Sequence, residues 1–415
     1  MTTRTQVLVI GGGYAGVLAA NRLTQRDDVS VTLINPRSTF VERIRLHQLV
    51  GGSNDAVVDY QDVLARGVRL VVDSATRIDA ARRTVELAAG DPLDFDYLIY
   101  AVGSGSAAPD VPGAAEFAYP IASLEEAKRL RMIVDTAPAS TAITVVGSGP
   151  SGIETAAELA ETGRNVTLIG GDVLGPYLHP RGRRAVAKRL SKLGVTMIDG
   201  PGSKVTAVTS GAVQLADGRE LPSSITIWTA GFGVPALAAQ SGLSTDPLGR
   251  PLTDETLTSV DNPRIVAAGD SASPSGVPYR MSCQAAGPLG AHAADTVLNR
   301  IAGKEPGVFS TGFLGQCLSL GRGSGLFQFS RHNDEAVWFH LGGRAAAKLK
   351  EVICESTVKQ LVDEARKPGS HSVPGWAKDR TRQETVLGRA GWSAGRPSLA
   401  NASLEAPAPV SWERS

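Results

Sequence analysis

The sequence predicts an α/β protein: two Rossmann-like dinucleotide-binding domains plus a small C-terminal α+β region. Three observations predict it. "TQVLVIGGGYAGVLAAN" opens the chain, and "TAITVVGSGPSGIETAAE" repeats its pattern from Thr141. A long stretch after each copy follows one plan. A further apolar strand, "PRIVAAGDSAS", ends in glycine and aspartate.

The first unit runs from the strand "VLVI" into Gly11, Gly12, Gly13, Tyr14, Ala15 and Gly16. The second runs from "ITVV" into Gly147, Gly149, Pro150, Ser151 and Gly152. In such a turn the first glycine bends strand into helix, the second lets backbone approach a pyrophosphate, and the third lets helix pack close on strand. The phosphates rest on unpaired N–H groups at the positive end of the helix. Two turns in this context predict two dinucleotides. "GVRLVVDSATRIDAARRTVELAAGDPLDFDYLIYAVG" and "GVTMIDGPGSKVTAVTSGAVQLADGRELPSSITIWTAGFG" each read as a strand, a hairpin turning at "AAGD" or "LADG", and an apolar strand ending in glycine. The chain is an internal repeat of one domain plan. In "PRIVAAGDSAS", Gly269 and Asp270 end the strand, and an aspartate there can accept hydrogen bonds from a ligand's hydroxyls.

Composition narrows the classes. The 415 residues are 42% hydrophobic, enough for two or three cores, and a net charge of +1 gives no sign of a nucleic-acid partner. No stretch reaches membrane-spanning length, and the start runs straight into a strand with no room for a signal peptide. Cys283, Cys317 and Cys354 are far apart without CxxC spacing, and the six histidines have no metal-binding company. A cytoplasmic protein without disulfides or a metal is expected.

The runs "VLVIGGGYAGVLAA", "DYLIYAVGS", "ITVVGSGPSGIETAAELAE", "TIWTAGF" and "IVAAGD", in that order, resemble the FAD-dependent pyridine nucleotide-disulfide oxidoreductases. The resemblance is to the branch holding type II NADH dehydrogenases and apoptosis-inducing-factor-like flavoproteins. It implies that the first turn binds FAD, noncovalently, and the second NADH or NADPH, with hydride passing between them. It also implies an FAD domain split in sequence, over residues 1–112 and 235–308, around an NAD(P)H domain over 113–234. A hairpin and helix over 309–366 and a disordered tail over 367–415 complete the expected organisation.

Ala75, Gly103, Ala230 and Gly231 are further cofactor-facing positions that the resemblance implies. Glu154 matches a family glutamate contacting the nicotinamide end. Asn35 ends "VTLIN", where such folds place a group that bonds a ribose hydroxyl, and Arg37 and Arg43 are candidates for the FAD adenosine and phosphates. The matching strand end in the second unit, "VTLIGGD", has Gly170 and no carboxylate, with Arg181, Arg183 and Arg184 soon after, which leaves NADH and NADPH both open. Type II NADH dehydrogenases carry A-Q-x-A-x-Q beside the flavin and quinone channel. Here "CQAAGPLG" keeps Gln284 as the first glutamine and has Pro288 in place of the second. No cysteine precedes Cys283, so dithiol chemistry is not expected.

The acceptor is expected to be a small molecule such as a quinone. A ferredoxin or rubredoxin partner, and a non-enzymic NAD(P)H-responsive flavoprotein, are the alternatives. A homodimer is compatible with the sequence. In the last helix, Ala346, Leu349, Ile353 and Leu361 share one face, with Arg344, Lys348, Lys350 and Lys359 elsewhere. That helix is expected to pack on its own protein, with peripheral docking on the inner face of a membrane as the most that membrane association could amount to.

Overall fold

The computed structural model describes residues 4–393. Its frame is two five-stranded parallel sheets with the same strand plan. In the first, Thr5–Ile10 is central, flanked on one side by Val29–Asn35 and Val68–Val72 and on the other by Tyr97–Tyr100 and Ile265–Ala267. In the second, Ala142–Val146 is central, flanked by Asn165–Gly171 and Thr196–Asp199, and by Ile225–Trp228 and Ala118–Pro120. Thr5 registers with Val29 as Ala142 does with Asn165.

These segments are strands because both of their faces are buried. Val7 and Val9 enter the core that holds Leu18, Leu33 and Val266, while Leu8 and Ile10 enter the opposite one with Leu98 and Tyr100. Continuous burial with period-two alternation is the signature of a parallel sheet covered on both sides. Where the sequence predicts a hairpin, each unit carries an antiparallel meander of three strands, over Ala75–Leu87 with Leu93–Asp94 and over Val205–Leu215 with Glu220–Pro222. The two crossovers meet: Gly105–Ser106 pairs antiparallel with Phe232–Gly233.

Beyond the second sheet, Gly315–Ser319, Gly325–Ser330 and Ala336–Gly342 form an antiparallel sheet of three strands, one more than the expected hairpin. The helix Gly343–Arg366 follows and lies against the first glycine helix, Tyr14–Leu23. It buries Ala346, Cys354, Leu361 and Glu364. Lys350 falls on that same stripe, a correction to its expected place on the polar side. Leu349 and Ile353 are only half-buried.

The tail expectation is corrected over residues 367–393. Glu364 accepts from the backbone N–H groups of Gly369 and His371, and Arg382 pairs with Glu255 at 3.0 Å while lying over the Tyr279 ring. The helix Arg382–Ser393 then closes the described chain. Single polar anchors hold this segment, so no hydrophobic period announces it. Residues 394–415, also expected to be structureless, lie outside the described residues.

Candidate functional site

The two glycine turns have one geometry. Gly11 and Gly147 have φ of +102° and +108°, a region in which glycine carries no Cβ penalty. A Cβ on Gly16 or Gly152 would collide with the carbonyl oxygen of Gly11 or Gly147, so helix and strand meet as closely as backbone permits. A Cβ on Gly13 or Gly149 would meet nothing within 4 Å. The middle glycine of each turn therefore borders open space at the start of a helix, Tyr14–Leu23 or Pro150–Glu161. That is the cradle a pyrophosphate needs. Ala15 is buried behind the first turn, and Pro150 and Ser151 begin the second helix.

At the first cradle the structure brings together several of the predicted residues. Asp270 accepts from the Ser104 hydroxyl at 2.7 Å and the Ser282 N–H at 3.2 Å, and Arg43 donates to Ser104 at 2.8 Å with a nitrogen 3.5 Å from Asp270. Gly103, at φ +70°, donates its N–H to Ser271, and Gly269 packs against Ala15.

Others turn elsewhere. Asn35 accepts from the Gly12 N–H at 2.9 Å and donates to the Arg37 carbonyl, so its amide braces the turn. Arg37 is held by Glu125 at 2.5 Å and 2.7 Å on the surface. Tyr14 is half-buried, edge-on to Phe40. Ala75 begins the first meander.

At the second cradle, Gly147 lies against the Ala230 N–H, and Gly231, at φ +86°, packs on Ala107. The Ser148 hydroxyl donates to the Gly170 and Val173 carbonyls. The carboxylate missing from the strand end is supplied by its neighbour: Asp199 pairs with Gly171, and its Cβ lies 3.2 Å from where a Gly170 side chain would begin. Sequence reasoning missed it because Asp199 ends a different strand. Of the three arginines, Arg181 stacks over Trp338 and Arg183 donates to the Leu178 carbonyl.

Glu154 is buried beside groups the sequence did not connect to it. Its carboxylate lies 2.9 Å from Lys350 Nζ, accepts the Ser319 N–H at 2.9 Å, and is 3.7 Å from His47 Nδ1. Burial pushes Glu154 up, but Lys350, His47 and the Ser319 N–H outweigh it and hold the carboxyl below its ordinary value. Burial also opposes the Lys350 charge, yet Glu154 and the nearby thiols raise its pKa. Burial depresses His47 to about 4, so its ring is neutral near pH 7. The pair is ionised. Among the described residues its one sequence signal is Lys350 sitting four residues from both Ala346 and Cys354 on the buried stripe.

Gln284, near the start of the helix Cys283–Ile301, accepts from the Leu314 N–H at 2.9 Å and donates to the Gly315 carbonyl at 3.3 Å, tying that helix to the C-terminal sheet. Cys283, Cys317 and Cys354 are free and converge on the field of Lys350. Burial pushes their thiols up, to about 12 for Cys317 and about 11 for Cys354. None is poised as a thiolate. Among the described residues no His, Cys, Asp or Glu group is arranged to hold a metal, and no helix is long and apolar enough to cross a membrane.

Comparison with known proteins matches this arrangement. The family model for pyridine nucleotide-disulphide oxidoreductases matches residues 5–290. An NADH dehydrogenase-like protein of Mycobacterium tuberculosis is 31% identical over 324 residues, covering 71% of this chain and 80% of its own. A type II NADH:quinone oxidoreductase of the same organism is 30% identical, covering 73% and 74%. In fold, the chain is similar to NDH2 of Plasmodium falciparum, solved in complex with NADH, at a TM-score of 0.72 and 17% identity over 89% of this chain and 99% of that one. With a family model spanning both glycine turns and the Asp270 strand, the chain belongs to the pyridine nucleotide-disulphide oxidoreductase family.

Proposed function

We propose that this chain is an FAD-dependent NADH dehydrogenase that passes electrons to a quinone. The observation that carries the assignment is the pair of glycine cradles of like geometry, each open at its middle glycine. FAD fits the first, where Asp270, Ser104 and Arg43 gather at the strand ends, and NADH fits the second. When bound, the flavin takes a hydride from the nicotinamide and gives two electrons to the acceptor.

The chain's own part is to bind, orient and exclude water. Segments 1–112 and 235–308 serve FAD, 113–234 serves NADH, and 309–366 covers the meeting point. Glu154, held by Lys350, orients the nicotinamide end, and Gln284 fixes the helix that borders the flavin. Asp199 favours NADH, because a carboxylate beside the adenosine ribose repels a 2′-phosphate. The quinone acceptor is supported by the names of the relatives. Activity at a membrane surface, without a spanning helix among the described residues, suits a lipid-borne acceptor. The test is direct. Purified protein should be yellow, release FAD on denaturation, and oxidise NADH only when a naphthoquinone is supplied. Release of FMN alone, or no NADH oxidation with any quinone, sinks the assignment.

A further inference from the structure

The strand Ala336–Gly342 is an edge strand of the C-terminal sheet and carries no Lys, Arg, Asp or Glu. Successive side chains of a strand point to opposite faces. Here two successive aromatic residues are both exposed, Trp338 at 61% and Phe339 at 49%. Behind them the ring centroids of Phe339 and Phe329 lie 5.1 Å apart, and those of Phe329 and Phe327 lie 4.7 Å apart. The exposed rings are therefore the rim of one aromatic patch. Proteins ordinarily blunt a sheet edge with charge or proline. A bare apolar edge marks a surface that meets something less polar than water.

The flank of this edge is basic. The helix Pro180–Lys192 packs against the same strand and holds six basic residues and no acidic one. Arg181, Arg184, Lys188 and Lys192 are exposed and, at 3.6 residues per turn, fall within about 80° of arc. Arg181 lies over the Trp338 ring, 5.2 Å from its centroid, which joins the stripe to the aromatic edge. Lys188 and Lys192 share a depression with Gly342 and Gly343, and the exposed Arg344 and Lys348 line the adjoining one. None of these six cations has a carboxylate partner among the described residues, in a chain whose net charge is only +1. Helix electrostatics do not call for them: Arg181 and Arg184 stand in the first turn, where the dipole disfavours cations.

We propose that this face docks on an anionic lipid bilayer, with Trp338 and Phe339 entering the headgroup region and the six cations resting on acidic headgroups. A bilayer matches both halves of the surface. Aromatic rings gain at an interface that is apolar on one side and wet on the other. Lysine and arginine are drawn to an anionic leaflet within a Debye length of it. An acidic protein would answer the cations and leave the apolar edge to be matched separately. A second copy of this chain, paired edge to edge, would set its own cations against these. The inference goes beyond the dehydrogenase reading and does not depend on it.

The test sediments the full chain with phosphatidylcholine vesicles, either pure or with one lipid in three replaced by phosphatidylglycerol. The wild type should partition onto the anionic vesicles at least about ten-fold better than onto the neutral ones, and high salt should remove most of that advantage. K188Q/K192Q/R344Q/K348Q should lose the advantage by a similar factor. W338S/F339S should weaken binding to both kinds of vesicle. R4Q/R66Q/R69Q/K304Q takes the same charge from exposed residues on other elements and should bind as the wild type does. Flavin content and turnover of a water-soluble naphthoquinone should stay at the wild-type level in all three variants, which reports an intact fold. No vesicle binding, equal binding to neutral and anionic vesicles, or anionic binding that survives the change at Lys188, Lys192, Arg344 and Lys348 overturns the proposal. So does a dimer that W338S/F339S dissolves in place of vesicle binding. Each of those results leaves NADH oxidation by the soluble quinone untouched, whereas loss of that oxidation in the wild type fells the dehydrogenase reading alone.

Discussion

Lys350 Nζ lies 2.9 Å from Glu154 Oε1, with Glu154 buried and the Lys350 side chain only 11% exposed. The contact ties the last long helix to the helix of the second glycine turn. Removing one partner strands the other charge in a buried site. Lys350→Met should therefore cost about 3–5 kcal/mol, and adding Glu154→Gln should restore most of it. Urea unfolding of the single and double variants checks this. A single variant as stable as wild type refutes a buried ion pair.

His47 sets an acid limit on stability. Its pKa is lowered from 6.5 to about 4 in the fold, chiefly by burial, so between those values the unfolded chain takes up a proton that the folded chain refuses. Stability should fall as pH drops through that window, by on the order of 3 kcal/mol from this residue. His47→Gln should flatten the limb between pH 6.5 and 4. An unchanged slope would assign the loss to other groups.

Gly149→Val should abolish reduction of the flavin by NADH while leaving FAD bound. The added side chain meets no protein atom within 4 Å at Cβ, so it fills the cradle rather than straining the fold. Stopped-flow absorbance at the flavin band reads the reduction, and flavin release on denaturation reads the occupancy. Equal loss of FAD would mean that the two cradles are not separable sites.

Asp199→Ser should raise the use of NADPH relative to NADH, by about ten-fold in the ratio of kcat/KM if one carboxylate–phosphate repulsion of about 1.4 kcal/mol is removed. A ratio unmoved by the change would place the adenosine ribose away from Asp199.

Serine at Cys283, Cys317 and Cys354 together should leave reduction by NADH and reoxidation by quinone largely intact. Burial keeps all three thiols protonated, and exchange chemistry requires a thiolate. Some loss of stability is expected at Cys354, which is fully buried. A folded, flavin-bearing triple variant that cannot pass electrons onward would restore a thiol mechanism.

The frame was legible because its signals are local. Val7 and Val9 alternating with Leu8 and Ile10 beside a glycine turn specify a strand, a bend and a helix within one short window. Asp270 is marked by the end of its own strand, whereas Arg43 reads as one arginine among several until the fold brings it to Ser104 and Asp270. What escaped was chemistry assembled across the chain. Lys350 reads as one more helix lysine until the fold sets it against Glu154, and Asp199 reads as a turn residue until its strand docks beside Gly170. Asn35 sits at the strand end where the pattern predicts, and its bond to the Gly12 N–H is a local contact that the pattern does not announce.

The first sheet borrows its last strand, Ile265–Ala267, from beyond the whole second sheet. A chain made from its N-terminus thus exposes Tyr97–Tyr100 as an open edge while every strand of the second sheet is still being synthesised. The later unit, contiguous over its five strands, can close first. Arrival of Ile265–Ala267 then seals the earlier one, so a truncation just short of it leaves a bare strand edge, the surface on which chains aggregate.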